Sequence, residues 1–170
     1  MEPEQLVGPE QLVEIERIKR LKYAYLRCID QKDFAGLSGL FTEDATAAYS
    51  GGRYLYEGRA AITTFIETNM GRTTMHSSHR VHHPEIDLDG DDATGTWALE
   101  DTIVDTEWDF VLQGAAFYED RYVRRDGRWL IAHTGYRRTF EYLLPTTALS
   151  GFRVTASWWA TDGQSSLAVQ

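Results

Sequence analysis

Apolar positions near the start of the chain repeat at steps of three and four residues. In EQLVEIERIKRLKYAYLRCID, residues 10–30, this stripe consists of Leu12, Ile15, Ile18, Leu21, Tyr25 and Cys28. A helix places side chains at this spacing on one face, so the pattern predicts an amphipathic helix. Asp33 is suited to cap a short second helix over FAGLSGLF. The segment GRAAITTFIETNM, residues 58–70, predicts a third helix.

Strand-like patterns occupy the rest of the chain. Two short extended runs, TAAYS and RYLYEG, flank Gly51 and Gly52 and predict a β-hairpin between the second and third helices. After residue 70 the helical spacing disappears and four strand-like runs follow: HRVHHPEIDLDG, ATGTWALEDTIVD, GAAFYEDRYVRR and RWLIAHTGYRR. Helices followed by a long antiparallel meander predict an α+β domain, with the helices packed on one face of a strongly curved sheet.

The chain divides into three parts. Its 170 residues fit one domain, which we place at residues 10–144, after an N-terminal extension over residues 1–9. The remaining segment, residues 145–170, is rich in Ser, Thr and Ala but contains Trp158 and Trp159. Because exposed tryptophan pairs are unusual, we expect this tail to dock on the body or on a neighbouring subunit.

Composition excludes several classes of partner. The net charge of −9 and the pI of about 5.0 argue against nucleic acid and against anionic membrane surfaces. Cys28 is the single cysteine, which excludes an internal disulfide and a cysteine-rich metal site. With no apolar run near 18 residues and no signal-like leader, we expect a cytoplasmic protein with no membrane partner.

Three of the five histidines, His79, His82 and His83, lie in SSHRVHHPEIDLDGDD, residues 77–92. Strict strand alternation puts His82 on the face of the apolar residues that follow it, which favours His82 as the inward histidine. A bulge near Pro84 would instead turn His79 inward, because bulges re-aim side chains and proline cannot donate to a central ladder. The sequence alone supports either orientation.

A metal site is not expected in this cluster. Zinc requires three or four converging ligands, and two histidines four residues apart are too far from each other on an extended strand. The acidic segment DLDGDDATG lacks the full calcium-loop pattern with its closing Glu, so it predicts a tight turn.

Three segments carry a resemblance to a known family: LFTEDA after the second helix, YEGRAAITTFI at the third, and YEDRYVRRDGRWLIAH near the end. Over residues 10–140 the chain resembles the SnoaL-like branch of the nuclear transport factor 2-like superfamily. The resemblance implies a cone-shaped α+β barrel, in which three helices pack on a strongly curved, mostly antiparallel sheet that encloses a pocket. This fold hosts many chemistries, so it indicates the architecture more specifically than the activity.

The resemblance also implies a set of catalytic residues. In the dehydratase and dehydrochlorinase members, an aspartate ending the first helix orients a histidine on the first long strand, and Asp30 and His79 match these positions. Such a carboxylate makes the far ring nitrogen a competent base. Tyr25 matches a pocket position suited to a hydrogen-bond or proton donor. Asp101 matches a further lining position, where we expect an acid.

Six further residues are predicted to contact the substrate: Trp97, Leu99, Tyr118, His83, Tyr136 and Arg137. His83 stands where relatives often carry Asn. The late-strand arginine of the family matches either Arg137 or Arg138.

These residues predict a cofactor-independent lyase, preferably a dehydratase, or an isomerase. Its substrate is expected to be a hydrophobic polycyclic, steroid-, polyketide- or terpenoid-like small molecule. A polyketide cyclase using the same acid and base is the alternative among enzymes, and a non-catalytic ligand-binding or oligomerisation domain is the alternative outside them. The resemblance implies a homodimer or a homotrimer.

Overall fold

The computed structural model describes residues 8–167, in which three helices accompany six strands. The helices are α1 (Pro9–Gln31), α2 (Phe34–Ser38) and α3 (Arg59–Met70). The strands are β1 (Phe41–Tyr49), β2 (Tyr54–Glu57), β3 (Met75–Asp89), β4 (Asp92–Asp105), β5 (Phe110–Arg125) and β6 (Arg128–Leu144). The first seven residues of the expected N-terminal extension and the last three of the tail lie outside the described residues.

The helices begin and end close to the predicted positions. Asp33 caps α2 as expected, since its Oδ1 accepts a hydrogen bond from the Gly36 amide at 2.8 Å. The second helix is shorter than predicted: it ends at Ser38, Gly39 caps it, and Phe41 already belongs to β1. Within residues 8–167, every helix is too short or too polar to serve as a membrane span.

The strands form one sheet in the order β2-β1-β6-β5-β4-β3. β1 runs parallel to β6, and all other neighbours are antiparallel. The α+β class and the mostly antiparallel sheet are therefore confirmed. The sheet does not close into a barrel among the described residues, because β2 and β3 each pair with a single strand and remain as its two edges.

The core lies between the sheet and α1. The predicted helical stripe supplies Ile18, Leu21 and Tyr25, all of which are buried. Burying a large apolar side chain contributes roughly 1.5–3 kcal/mol, so this stripe fixes which face of α1 meets the sheet. Leu12, the first member of the stripe, is instead exposed, because it precedes the part of the helix that packs against the core.

A β-bulge in β3 decides which histidine points inward. His82 pairs with Ala98, whereas Glu85 pairs with Thr96, so two residues of β3 stand opposite one of β4. His83 has a φ of 46°, which marks the bulged position. A bulge next to Pro84, one of the two alternatives that the sequence left open, is therefore present. The His79 side chain is 9% exposed and that of His82 is 42% exposed, so the alternation that favoured His82 gave the wrong orientation.

A second bulge, in β6, decides between the two arginines. Ile131 pairs with Tyr122 and His133 pairs with Arg121, which leaves Ala132 without an opposite residue. The inward face therefore changes from odd-numbered to even-numbered residues after this point. Arg138 points inward, and Arg137, named as the substrate contact from sequence, is exposed.

Candidate active site

A cavity of about 230 Å³ lies between the sheet and the helices. Six of its lining side chains are aromatic: Tyr25, Tyr49, Tyr54, Phe65, Tyr118 and Tyr136. Aliphatic residues such as Ile29, Ile66 and Leu99 complete most of the wall, and His79, Asp101, Arg138 and Asn69 supply its polar groups. A few polar groups in a mostly apolar wall are typical of a small-molecule site.

Asp30 and His79 are in direct contact at one side of this cavity. His79 Nδ1 lies 2.7 Å from Asp30 Oδ1, although the two residues are 49 positions apart in the sequence. The His79 amide donates to Asp30 Oδ2 at 2.9 Å, and the Ser77 hydroxyl donates to Asp30 Oδ1 at 2.8 Å. His79 lines the cavity and Asp30 stands behind it, so ring nitrogen Nε2 is left for the cavity.

The surroundings of Asp30 keep its carboxylate ionised. Burial acts to raise the pKa of Asp30, but the hydrogen bonds and charge of His79, together with the Ser77 hydroxyl, outweigh burial and leave the pKa below its ordinary value. The ionised Asp30 carboxylate accepts a hydrogen bond from the Nδ1–H group of His79, which favours the tautomer with an unprotonated Nε2. This arrangement suits a general base.

Two buried phenols face each other in the cavity wall. The hydroxyl oxygens of Tyr25 and Tyr49 lie 3.2 Å apart, within hydrogen-bonding distance. Burial raises the pKa of Tyr25, outweighing the hydrogen bond to Tyr49, and burial likewise raises the pKa of Tyr49 well above its ordinary value. Both groups are therefore neutral hydroxyls at physiological pH, able to donate to an oxygen atom in the cavity.

Asp101 forms a bidentate ion pair across the sheet. Arg138 Nη1 and Nη2 donate to the two carboxylate oxygens of Asp101, each at 2.7 Å. Arg138 Nε also lies 3.1 Å from Glu141. Both oxygens of Asp101 thus already accept a charge-assisted hydrogen bond, which favours a carboxylate that accepts hydrogen bonds over an acid that donates a proton.

The structure brings most of the predicted site residues together. Tyr25, His79, Leu99, Asp101, Tyr118 and Tyr136 line the cavity, with Asp30 directly behind His79. Their catalytic and binding roles stay predictions.

Three predicted contacts lie elsewhere. Trp97 is wholly buried in the core beyond the cavity, where its Nε1 donates to the Tyr122 hydroxyl at 3.0 Å. His83 occupies the exposed bulge of β3. Arg137 lies on the outer side of β6, next to a separate surface depression formed with Glu119 and His133.

Tyr49 and Ser77 belong to the site but were not predicted from the sequence. Tyr49 alternates with the buried Ala45 and Ala47 on β1, a period-two pattern that could have placed it on the inner face. Ser77 precedes His79 by two residues on the same strand, so it lies on the same face. Neither pattern by itself distinguishes a site residue from a core residue.

A buried ion pair lies beneath the aromatic wall. Lys22 Nζ is 2.7 Å from Asp120 Oδ2 and 3.3 Å from the centroid of the Tyr118 ring. Asp120 also accepts hydrogen bonds from the hydroxyls of Tyr122 and Thr134. Burial lowers the pKa of Lys22, and its partner Asp120 opposes this effect.

Within residues 8–167, no three His, Cys, Asp or Glu side chains converge closely enough to hold a metal ion.

Comparisons with known proteins agree with the architecture. The sequence profile of the SnoaL-like domain matches residues 10–135. A putative scytalone dehydratase from Novosphingobium aromaticivorans has a TM-score of 0.72 at 23% identity, over 86% of this chain and 92% of that one. The hexachlorocyclohexane dehydrochlorinase LinA-type3 from Novosphingobium barchaimii has a TM-score of 0.71 at 20% identity, over 85% of this chain and 96% of that one.

A third similar structure is closer in sequence. It is a protein of unknown function from Mycobacterium tuberculosis, 30% identical, with a TM-score of 0.67 over 78% of this chain and 77% of that one.

Proposed function

The chain belongs to the SnoaL-like domain family, and from this membership we propose that it is a cofactor-independent lyase of hydrophobic ring compounds. The preferred reaction is a dehydration, in which one carbon loses a hydroxyl group and the adjacent carbon loses a proton. Similar structures described as a putative scytalone dehydratase and a hexachlorocyclohexane dehydrochlorinase support an elimination reaction. The cavity supports the substrate class, because its wall is mostly aromatic and aliphatic.

His79 is the base in this proposal. Its Nε2 takes the proton from carbon, and the electrons of that C–H bond form the new carbon–carbon double bond. The positive charge that develops on the imidazole ring is stabilised by Asp30, which lies 2.7 Å from Nδ1. General-base catalysis of this kind contributes about 100- to 10,000-fold to a rate.

Tyr25 and Tyr49 are the donors in this proposal. Where the substrate carries a carbonyl group, one hydroxyl donates to its oxygen as negative charge develops there. The departing hydroxyl takes the proton that His79 has removed and leaves as water, so the imidazole returns to its neutral form. Protons and electrons then balance without a cofactor.

Asp101 and Arg138 are assigned to substrate positioning rather than to proton donation. Their bidentate pair places one negative and one positive group at the cavity wall, and the charges offset each other. Asp30, the other carboxylate nearby, lies behind the His79 ring and does not line the cavity. A cavity in which charges are paired favours a substrate without net charge, because an ionic substrate would lose hydration without gaining a free counter-ion.

The observation that carries this proposal is the Asp30–His79 contact at the wall of an apolar cavity. A carboxylate behind the ring and an apolar space in front of it are what proton abstraction from carbon requires.

The test uses a panel of neutral cyclic β-hydroxy ketones with the wild-type protein. Loss of water is followed by the ultraviolet absorbance of the conjugated product and by mass spectrometry. For any ketone that is converted, we expect His79→Gln to lower kcat/KM by about 100-fold or more, because it removes the base. Asp30→Asn should lower kcat as well, because the ring loses its orienting carboxylate.

The matched control is His82→Gln, which changes a histidine on the outer face of the same strand. It should leave kcat and KM unchanged. Full turnover by His79→Gln would show that the base is assigned wrongly. A product that contains a new ring would favour a cyclase, and binding without conversion across the panel would favour a ligand-binding role.

A further inference from the structure

Trp159 of the C-terminal segment contacts three parts of the body at once. Its Nε1 donates to the carbonyl oxygen of Thr73 at 2.6 Å. Its indole stacks on the His76 ring, with centroids 5.0 Å apart and planes 7° from parallel. The Lys32 ammonium lies 4.4 Å from the indole centroid, a cation–π contact. These contacts join the end of α1, the loop after α3 and the start of β3.

The three contacted parts adjoin the candidate catalytic pair. Lys32 follows Asp30 by two residues and also donates to the carbonyl of Met70, the last residue of α3. His76 directly precedes Ser77, whose hydroxyl binds Asp30, and β3 continues to His79. Trp159 therefore lies where the segment carrying Asp30 meets the strand carrying His79.

This junction has little other support from the sheet. β3 is an edge strand, paired only with β4, so one side of its backbone has no neighbouring strand. Lys32, the residue that follows α1, has a φ of 58°, a left-handed conformation that is unfavourable for a residue with a side chain. Besides the hydrogen bonds of Asp30 to Ser77 and His79, contacts from outside the sheet can therefore help to fix the end of α1 against β3.

The family resemblance does not account for this contact. The SnoaL-like domain match ends at residue 135, and Trp159 lies beyond it. Its neighbour Trp158 is 59% exposed, so the two tryptophans differ in their surroundings although they are adjacent.

We propose that Trp159 is a positioning residue for the Asp30–His79 pair. By bracing Lys32, Thr73 and His76 it holds Asp30 Oδ1 within hydrogen-bonding distance of His79 Nδ1. Whether Trp159 holds the Asp30–His79 contact does not depend on which reaction the protein catalyses. The effect of that contact on catalysis rests on the proposed function.

The test observes the His79 ring directly. In protein labelled with ¹⁵N-histidine, the proton shared by His79 Nδ1 and Asp30 should give a downfield resonance that exchanges slowly with water, and Asp30→Asn identifies it by removing it. We expect Trp159→Ala to broaden this resonance or abolish it, while circular dichroism still shows a folded protein. Trp158→Ala is the matched control and should leave the resonance as in the wild type.

Trp159→Phe separates the two kinds of contact. It retains a ring against His76 and Lys32 but removes the hydrogen bond to Thr73, so an intermediate broadening is expected. A Trp159→Ala resonance identical to that of Trp158→Ala would overturn the proposal. If Trp159→Ala does not fold, Trp159→Phe decides: a weakened resonance supports the proposal and an unchanged one overturns it.

Kinetics separate this proposal from the proposed function. With a substrate converted by the wild type, Trp159→Ala should lower kcat about 10- to 100-fold with little change in KM, because the base is misplaced rather than the binding site lost. If His79→Gln retains turnover while Trp159→Ala still disturbs the resonance, the function fails and the positioning role stands. If His79→Gln abolishes turnover and Trp159→Ala changes neither resonance nor kcat, only the positioning role fails.

Discussion

At the scale of single residues, the site depends on the hydrogen bonds that protein groups donate to the Asp30 carboxylate. Its carboxylate accepts hydrogen bonds from the Ser77 hydroxyl, the His79 amide and the His79 ring. Burial alone would raise the pKa of Asp30, and these bonds bring it below the ordinary value. The ionised carboxylate is thereby stabilised in the folded protein more than in the unfolded chain, so it contributes to stability as well as to the proposed chemistry.

Stability should therefore depend on pH through Asp30. Because the pKa is lowered on folding, the stabilisation is complete above the ordinary value of 3.8 and is lost as pH falls through the folded-state pKa. We expect Asp30→Asn to lower the free energy of unfolding by about 1–3 kcal/mol at neutral pH. The difference from wild type should shrink as pH falls below about 4, measured by urea unfolding at several pH values. A constant difference would contradict this account.

At the scale of elements, α1 and β5 are joined by a buried ion pair. Lys22 and Asp120 are both fully buried at the level of their side chains, and Tyr122 and Thr134 complete the hydrogen bonds of the carboxylate. The ammonium also lies against the Tyr118 ring, which belongs to the cavity wall. The pair thus connects the packing of the first helix with the aromatic wall of the cavity.

Removing one member of this pair should be costly. We expect Lys22→Met to lower the free energy of unfolding by about 3–5 kcal/mol, because it leaves the Asp120 carboxylate buried without its counter-ion. Lys19→Met is the control, since the Lys19–Glu16 pair lies on the helix surface and contributes at most about 1 kcal/mol. Chemical denaturation of the two variants measures the difference. If both variants lowered the free energy of unfolding by the same amount, the buried Lys22–Asp120 pair would not contribute more to stability than the surface pair.

At the scale of the whole molecule, the outer face of the sheet carries exposed aromatic side chains. Phe117 is 47% exposed on β5, and Phe140 is 58% exposed on β6. Phe140 pairs with Ala115, which shares the face of Phe117, so both rings point away from the cavity. We propose that a second copy of the chain covers this face, in keeping with the dimer or trimer that the family resemblance implies.

This assembly is testable by sedimentation. We expect the wild type to sediment as a dimer or a trimer and Phe140→Glu to shift it towards the monomer, because a buried unpaired carboxylate destabilises an interface. Leu55→Glu, on the edge strand β2, is the control and should leave the mass unchanged. A monomeric wild type, or an unchanged mass for Phe140→Glu, would refute the proposed interface.

Local patterns in the sequence were sufficient to predict the helices and strands and their order along the chain. Helical spacing located α1 and α3, Asp33 marked the start of α2, and Gly51 with Gly52 marked the hairpin, where both have positive φ. These features follow from interactions between residues close together in the chain, so the sequence carries them directly. The pairing of Asp30 with His79 came from the family resemblance, since no local pattern joins residues 49 positions apart.

Only the tertiary structure decided which side chains enter the cavity. A bulge reverses the inward face of a strand, and its position depends on pairing with the neighbouring strand, as at His83 opposite β4 and at Ala132 opposite β5. For this reason Arg138 rather than Arg137 reaches the cavity. Likewise only the tertiary structure pairs Asp101 with Arg138. Asp101 lies on β4 and Arg138 on β6, and β5 lies between these two strands in the sheet.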